Sequence, residues 1–577
     1  MQYDFSYADS STYAAVRQLL SRFTVDGGLV VDLGCGNCPM AEVVRELGAT
    51  YVGVDVDPDS VALAAERGIE SHVVDLSGPD AGIALNKVVG DRRVAAVLAL
   101  DVLEHLVDPA ALLRQLHEHV VEARTALLLS VPNVTHIDLG GKLLTGRWDV
   151  TPTGLLDETH LRFFTSGRLD QVLRAAGWHE IDRRDFRLAA SDQHFPVNHP
   201  ALAPGALLAE ELRLLRAQAD EFGDVNQFVR AYLAGPVPAE EPEPEPGPFL
   251  SIVMRTQGAK PDSMIEALCC LGGQTVTDWE LIIAVHGDAD RLAEVRALVD
   301  DFDGELRSRI RLTSVTGGGR ARPANRGLEL ATGSYVAFLD DDDFVTADWV
   351  ETFQATATKH AGSIVRSFGV DRDVEPAGTD HDRAPYQTKS GLRPTFTTEF
   401  DLVQHLYENR TPLHCFAVPR TVVTELNVRW NDELLTCEDW DFLLRCALWC
   451  GVTDTGAVTT VYNRWHKVAS LHTVPQWSWD TARQWVRHHL DSRPLLLPPG
   501  SVTRLAELYE ASLRETQPQP PDPALLAQIH QAQHRAELAE HAAHHLQLRV
   551  TSLEKSTSWR ITAPLRYLMR KSAKSDN

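Results

Sequence analysis

The chain has 577 residues, 80 acidic against 55 basic side chains, and a formal net charge of −25. Hydrophobic residues at 44% and charged residues at 23% exclude wholesale disorder, and the length predicts roughly two to four domains rather than one core. A surface this acidic repels a phosphate backbone, which excludes nucleic acid as the main partner. No apolar run approaches the ~18 residues that span a bilayer. The start, Met1 to Phe5, has no basic region followed by an apolar one, so the expectation is a cytoplasmic protein with no secretory signal. Its eight cysteines read as reduced thiols rather than a disulfide framework.

The first elements are short apolar runs separated by helical stretches: Leu29-Val30-Val31-Asp32, Tyr51-Val52-Gly53-Val54-Asp55, His72-Val73-Val74-Asp75 and Ala96-Val97-Leu98-Ala99-Leu100-Asp101. That alternation predicts a parallel sheet covered by helices. Each run ends in an aspartate, and ligands of open parallel sheets sit beyond the carboxyl ends of the strands, so these acids line one crevice. Gly34 and Gly36 follow the first strand, permit a tight turn and let a ligand approach the backbone. Pro39 stands where a dinucleotide fingerprint needs its third glycine, so a smaller adenosine ligand fits better than NAD. Asp55 is placed for both ribose hydroxyls and Asp75 for the adenine edge. Cys35-Gly36-Asn37-Cys38 has redox-motif spacing, but the glycine turn is the better account of it.

Together, Asp32-Leu33-Gly34-Cys35-Gly36, Gly53-Val54-Asp55 and Asp101-Val102-Leu103-Glu104-His105-Leu106-Val107-Asp108-Pro109 resemble the class I S-adenosylmethionine-dependent methyltransferases, over residues 1–235. Ser130-Val131-Pro132-Asn133 and Leu156 to Thr165 look like a subgroup common in surface-polysaccharide gene clusters. The resemblance implies a Rossmann-like domain in which Asp32 and Gly34 face the methionine moiety. Gly36 would lie in the same turn, Asp55 at the ribose, Asp75 at the adenine and Asp101 at the mouth of the donor site. Methyl transfer is an in-line displacement that needs an aligned acceptor and, for a hydroxyl, a proton acceptor. His105 and His160 are the candidate imidazole bases; the competing readings are a helix-start contact for His105 and a structural loop contact for His160.

Residues 236–248 alternate proline and glutamate, cannot pack a core, and predict a semi-rigid extended linker between two large modules. Beyond it, Phe249 to Val253, Glu280 to Val285 and Tyr335 to Leu339 are again strand-like runs. The last runs into Asp340-Asp341-Asp342-Asp343, four adjacent carboxylates that repel one another unless a cation neutralises them. Hard oxygen donors suit Mg²⁺ or Mn²⁺. Cys437-Glu438-Asp439-Trp440 opens a helix whose early acids alone could simply favour the helix dipole.

Leu250 to Thr256, Ala324 to Gly333, Phe338 to Asp343 and Glu438-Asp439-Trp440 together resemble the family 2 glycosyltransferases of GT-A fold, over residues 249–475. The resemblance implies a metal on Asp342, with Asp340 near the ribose and Asp341, Thr256 and Asn325 at the nucleotide sugar. It implies Asp439 as the general base, with Glu438 beside it, and inversion at the anomeric centre. His466 is a further candidate metal or phosphate contact, against a packing role. Two departures from the family pattern are His286-Gly287-Asp288, where an acidic pair usually reads the base, and Ala324, where an arginine is usual.

From Leu525 to Leu553, apolar positions step by four and three alternately, the pattern of a coiled coil; a single helix docked on the protein's own surface is the alternative. Ser558 to Lys571 mixes aromatic, apolar and basic residues and reads as contact with an anionic membrane surface or as a frayed terminus. The expectation is a bifunctional enzyme of cell-surface glycan assembly, made of two α/β domains and a helical extension 501–577. An NDP-sugar donor would supply a glycan or lipid-linked acceptor, and S-adenosylmethionine would methylate a sugar hydroxyl. The alternatives are a non-catalytic N-terminal scaffold, or a protein or secondary-metabolite acceptor.

Overall fold

The computed structural model describes residues 11–23, 27–121, 124–194, 205–237, 247–376, 386–466 and 475–515, with Ala527, Gln531, Gln533, His534, Arg535, Ser552 and Lys555. Residues 238–246 of the proline–glutamate segment, every apolar seam position of the expected coiled coil, and the basic tail lie outside the described residues. Met1–Leu497 form one compact unit carrying both sheets, and Pro498–Asn577 form a second, in which Ser501–Glu515 is a helix.

The first sheet contains β1 (Leu29–Leu33), β2 (Thr50–Asp55), β3 (Ser71–Val73), β4 (Val94–Leu100), β5 (Ala126–Pro132), β6 (Trp178–Arg183), β7 (Phe186–Arg187) and β8 (Val225–Ala234). Its order is β3-β2-β1-β4-β5-β8-β6, with β7 on β8. The first five strands are parallel, and β8 returns antiparallel between β5 and β6. Alternate side chains feed two cores: Val31, Val52, Val97 and Leu127 pack on one face, Val30, Tyr51, Leu98 and Leu128 on the other. Burial on both faces explains why these strands read as continuous apolar runs rather than alternating ones. Helices start where the sequence supplies caps. The Asp57 carboxylate accepts from the Asp59 and Ser60 amides ahead of helix Pro58–Glu66, and Asp108 caps Pro109–His119 through the Ala111 amide. Because the strand order runs outward in both directions from the β1–β4 pair, a crevice opens there at the carboxyl ends.

The second sheet repeats the device. It contains β9 (Leu250–Thr256), β10 (Trp279–His286), β11 (Ile310–Val315), β12 (Tyr335–Asp340), β13 (Phe344–Val345), β14 (Ile364–Pro376), β15 (Tyr386–Thr388), β16 (Phe416–Pro419) and β17 (Val452–Trp465). The order is β11-β10-β9-β12-β16-β14-β17-β13, with β15 on β14. Strands β11, β10, β9 and β12 are parallel, and β16 pairs antiparallel with β12. Ile252, Leu281 and Ala337 enter one core while Val253, Ile282 and Phe338 enter another. The reversal of strand order falls between β9 and β12, whose ends bring Arg255 opposite Asp340. Both domains are α/β, as the sequence predicts, but each sheet adds antiparallel strands to the parallel set that was expected. Among the described residues no helix is long and apolar enough to cross a membrane.

Candidate functional sites

A cavity of about 360 Å³ opens at the carboxyl ends of β1, β2, β4 and β5. Asp32, Gly34, Gly36, Asp55, Asp101, His105 and His160 all line it, so residues spread over the first 160 positions meet in one place. Gly34 has φ +60°, and a Cβ there would stand 2.9 Å from Val102 Cγ2, so both backbone and space require glycine. The Gly36 amide donates to Asp55 Oδ2 at 2.8 Å, and the Asp57 amide donates to Oδ1 at 2.9 Å. These bonds fix the Asp55 carboxylate at the end of β2, beside the glycine turn. Asp75 is exposed and does not line the cavity; it accepts from the Ser77 amide at 2.9 Å. The cavity brings together Asp32, Gly34, Gly36, Asp55 and Asp101, while Asp75, two residues past the end of β3 at Val73, is exposed and outside it.

Burial sets the electrostatics. Asp32 is 3% exposed, accepts from the Tyr51 hydroxyl at 2.7 Å, and is pushed up to about 7 by desolvation. Asp101 has φ +55°, unusual for a side chain with a Cβ. Its amide donates to the Ser130 carbonyl at 3.0 Å, and its Oδ1 accepts from Ser130 Oγ at 2.9 Å and Gln227 Nε2 at 3.0 Å. These bonds hold a strained residue at the site, a usual place to find one. Burial raises its carboxyl, against the hydrogen bond from Ser130. The His105 and His160 rings meet edge-on, with centroids 4.9 Å apart. Burial, then the neighbouring His105, lowers the proton affinity of His160. Glu104 also lines the cavity and was not singled out by sequence reasoning, although it lies inside the Asp101–Pro109 motif. Burial, then the charge of Asp101, pushes its carboxyl well above the ordinary range.

In the second sheet, Arg255 is the organising residue. Its guanidinium donates twice to Asp340, at 2.9 Å each, and once to Glu438 at 3.2 Å. One cation thus joins the strand-end acidic run to the first turn of helix Glu438–Cys450. Arg320 adds contacts of 3.4 Å to Glu438 and 3.8 Å to Asp340. Burial works against the charged form of Asp340, but Arg255 outweighs it and holds the carboxyl below its usual range. Burial, then the charges of Asp343, Asp342, Asp439 and Asp340, raises the Tyr462 phenol on β17. Asp342 pairs with Lys260, Asp341 accepts from the Thr256 hydroxyl, and Asp343 lies 3.1 Å from His414. Burial and mutual repulsion still push Asp341 and Asp342 upward. Two hard-oxygen side chains with surplus negative charge fit a Mg²⁺ or Mn²⁺ ion.

Glu438 and Asp439 have different surroundings. Glu438 is buried between Arg255 and Arg320. Among the described residues, Asp439 accepts from the Trp440 amide at 2.7 Å and from Asn409 Nδ2 at 3.3 Å, and burial with the charge of Glu438 raises it. The left-handed backbone at Cys437, φ +61°, turns the chain into this helix. Two candidates do not join the acids. Asn325 donates to the Trp430 carbonyl at 2.9 Å and accepts from its amide at 2.8 Å, so both ends of its side chain clamp a loop. His466 is half exposed and pairs with Asp373 at 3.0 Å rather than with Asp342. Arg326 turns to Glu329 at 2.6 Å, and the cation near that helix that reaches the acids is Arg320. Arg255 lies within the Leu250–Thr256 motif and was not singled out by sequence reasoning. A lone guanidinium near the end of an otherwise apolar strand was the available signal, since a buried cation requires paired acids.

A family described as a methyltransferase domain matches residues 7–181, and glycosyl transferase family 2 matches residues 251–415. The ubiquinone biosynthesis O-methyltransferase of Azorhizobium caulinodans is 28% identical over 188 residues, covering 30% of this chain and 71% of that protein. The uncharacterized glycosyltransferase EpsJ of Bacillus subtilis is 29% identical over 199 residues, covering 34% of this chain and 55% of that protein. Among solved structures, S. aureus TarS 1–349 in complex with UDP-GlcNAc aligns at a TM-score of 0.31 and 14% identity. That alignment covers 39% of this chain and 61% of TarS 1–349. The chain is a transferase that joins an N-terminal methyltransferase domain to a C-terminal family 2 glycosyltransferase domain.

Proposed function

We propose that the chain is a bifunctional enzyme of cell-surface glycan assembly, which transfers a sugar from a nucleoside-diphosphate donor and O-methylates a sugar hydroxyl. The observation that carries the sugar-transfer half is the division of labour between Glu438 and Asp439. Arg255 and Arg320 neutralise Glu438, whereas Asp439 has no paired cation among its contacts and a raised proton affinity. A carboxylate in that condition is suited to take a proton from an acceptor hydroxyl near neutral pH. Asp342, with Asp341 beside it, would hold the divalent ion, which when bound supplies charge stabilisation for the departing diphosphate. Arg255 and Arg320 fix Asp340 and Glu438 in place, and Lys260 offers a further cation to an anionic donor. Direct attack by the acceptor inverts the anomeric centre.

The methylation half rests on the cavity beneath Gly34 and Gly36. Asp55, fixed by the Gly36 and Asp57 amides, would hold a ribose diol, Asp32 would face the methionine group, and His105 and His160 on the same cavity wall would face the acceptor hydroxyl. One chain carrying both activities raises the effective concentration of each site at the same glycan end. The basic segment 558–571 would hold the enzyme near a membrane-borne acceptor.

Incubation with a panel of NDP-sugars and Mn²⁺, read by mass spectrometry for released nucleoside diphosphate, identifies the donor. Asp342→Ala is expected to abolish metal-dependent release; undiminished release in that variant overturns the metal assignment.

A further inference from the structure

The short turn Leu103–His105 delivers two adjacent side chains, Glu104 and His105, to the methyl-donor cavity. Glu104 is 1% exposed, and neither of its carboxylate oxygens has a hydrogen-bond partner among the described residues. A carboxyl group stripped of water and given no partner is costly to fold, so its retention at a cavity wall points to something that enters and satisfies it. His160 reaches the same spot from a loop. One oxygen of Glu104 and one ring nitrogen from each of His105 and His160 lie within 4.8 Å of one another.

The surroundings orient this group. His105 Nδ1 faces the Thr159 carbonyl oxygen at 3.3 Å and the Thr159 hydroxyl at 3.2 Å, which leaves Nε2 as its other ring donor. Asp157 Oδ1 in turn accepts from the Thr159 amide and hydroxyl, at 2.7 Å each. A histidine held at one nitrogen by a carbonyl, with a carboxylate behind the contact, is the outer arrangement that surrounds metal-binding imidazoles.

We propose that Glu104, His105 and His160 bind a divalent transition-metal ion at the acceptor end of the methyl-donor cavity, with its remaining positions open to an acceptor hydroxyl. One carboxylate and two imidazoles form a three-ligand set typical of catalytic sites, and imidazole donors favour zinc-like ions over Mg²⁺. A hydroxyl bound to such an ion loses its proton to water near neutral pH. The resulting oxygen attacks the methyl carbon; the new C–O bond forms as the S–C bond breaks, and that electron pair stays on the sulfur of S-adenosylhomocysteine. The hydroxyl step rests on the methylation reading above, whereas the ion site does not.

Co²⁺ titrated into the full-length protein reads the site by visible absorption, because imidazole-bound Co²⁺ of low coordination number absorbs far more strongly than the hydrated ion. A saturable band is expected in the wild type and in Asp342→Asn, which alters the separate acidic cluster. Glu104→Gln and His160→Gln are each expected to weaken Co²⁺ at least about tenfold, since even outer-partner losses cost roughly 10–100-fold. Unchanged circular dichroism and an unchanged unfolding temperature show that the variants fold. Thr159→Val, which keeps the volume and removes the hydroxyl contact, is expected to weaken Co²⁺ by a smaller factor. A spectrum that stays that of hydrated Co²⁺, or undiminished binding in Glu104→Gln, overturns the site. Co²⁺ binding without methyl transfer would keep the site and remove the methylation reading. Chelator-resistant methyl transfer without Co²⁺ binding would do the reverse.

Discussion

The two acidic sites of this chain handle negative charge in opposite ways. In the methyltransferase cavity Asp32, Asp101 and Glu104 gather without a paired Lys or Arg among the described residues, and burial raises all three. In the glycosyltransferase cleft Arg255, Arg320 and Lys260 stand among the acids, and only part of the charge is left over. The difference follows the ligands. A sulfonium donor brings its own positive charge, so the pocket that receives it is best left electron-rich. A nucleoside diphosphate, the proposed donor, is an anion, so its cleft would keep cations in place, with carboxylate left over for the proposed metal.

The sharpest way to break this contrast is Asp439→Asn. If Asp439 is the unneutralised base, sugar transfer falls by about 10²–10⁴-fold in kcat with donor KM little changed; a variant that keeps near-normal kcat removes the role. Next is Asp55→Ala, which takes away the carboxylate anchored by the Gly36 and Asp57 amides. S-adenosylmethionine affinity by calorimetry is expected to drop about 10–100-fold, the scale of one or two charge-assisted hydrogen bonds.

A smaller effect tests the electron-rich pocket through pH. Asp32 in the free protein carries a proton below about 7. A cationic ligand favours its ionised form, so binding releases a proton below that value and none above it. S-adenosylmethionine affinity is therefore expected to rise as pH increases between about 6 and 8, by up to roughly tenfold, and then level off. Calorimetry in buffers of different ionisation enthalpy reads the proton directly. Asp32→Asn should flatten the profile, and a profile equally steep in that variant removes the assignment. The mildest change is Asn325→Ala, which unclamps Trp430. It is expected to cost about 1–3 kcal/mol of stability with donor KM unchanged, seen as a lower Tm; a raised donor KM at unchanged Tm would return Asn325 to the substrate.

Legibility differed between the two sites for a physical reason. Asp32, Gly34, Gly36, Asp55 and Asp101 were legible as one group because each lies at or just past the end of a largely apolar strand, and a parallel sheet puts all such ends on one rim. Where Asp75 would fall relative to that rim was not legible, because the end of a strand is set by pairing with its neighbour, and the β2–β3 ladder ends at Val73. The acidic run at Asp340 to Asp343 was legible from charge repulsion alone. The partners that decide how each acid behaves were not: Arg255 lies 85 positions from Asp340 and 183 from Glu438.

The sequence by itself determined the two sheet domains, the glycine turn, and which carboxylates end up at strand ends, because strand periodicity and turn chemistry are local properties. Only the tertiary structure decided which acid is neutralised and which is left with surplus charge. That choice separated Glu438 from its neighbour Asp439, tied Asn325 to a loop, and left Glu104 facing two imidazoles. Electrostatic character depends on desolvation and on partners brought in from distant segments, and neither is written in a residue's own neighbourhood along the chain.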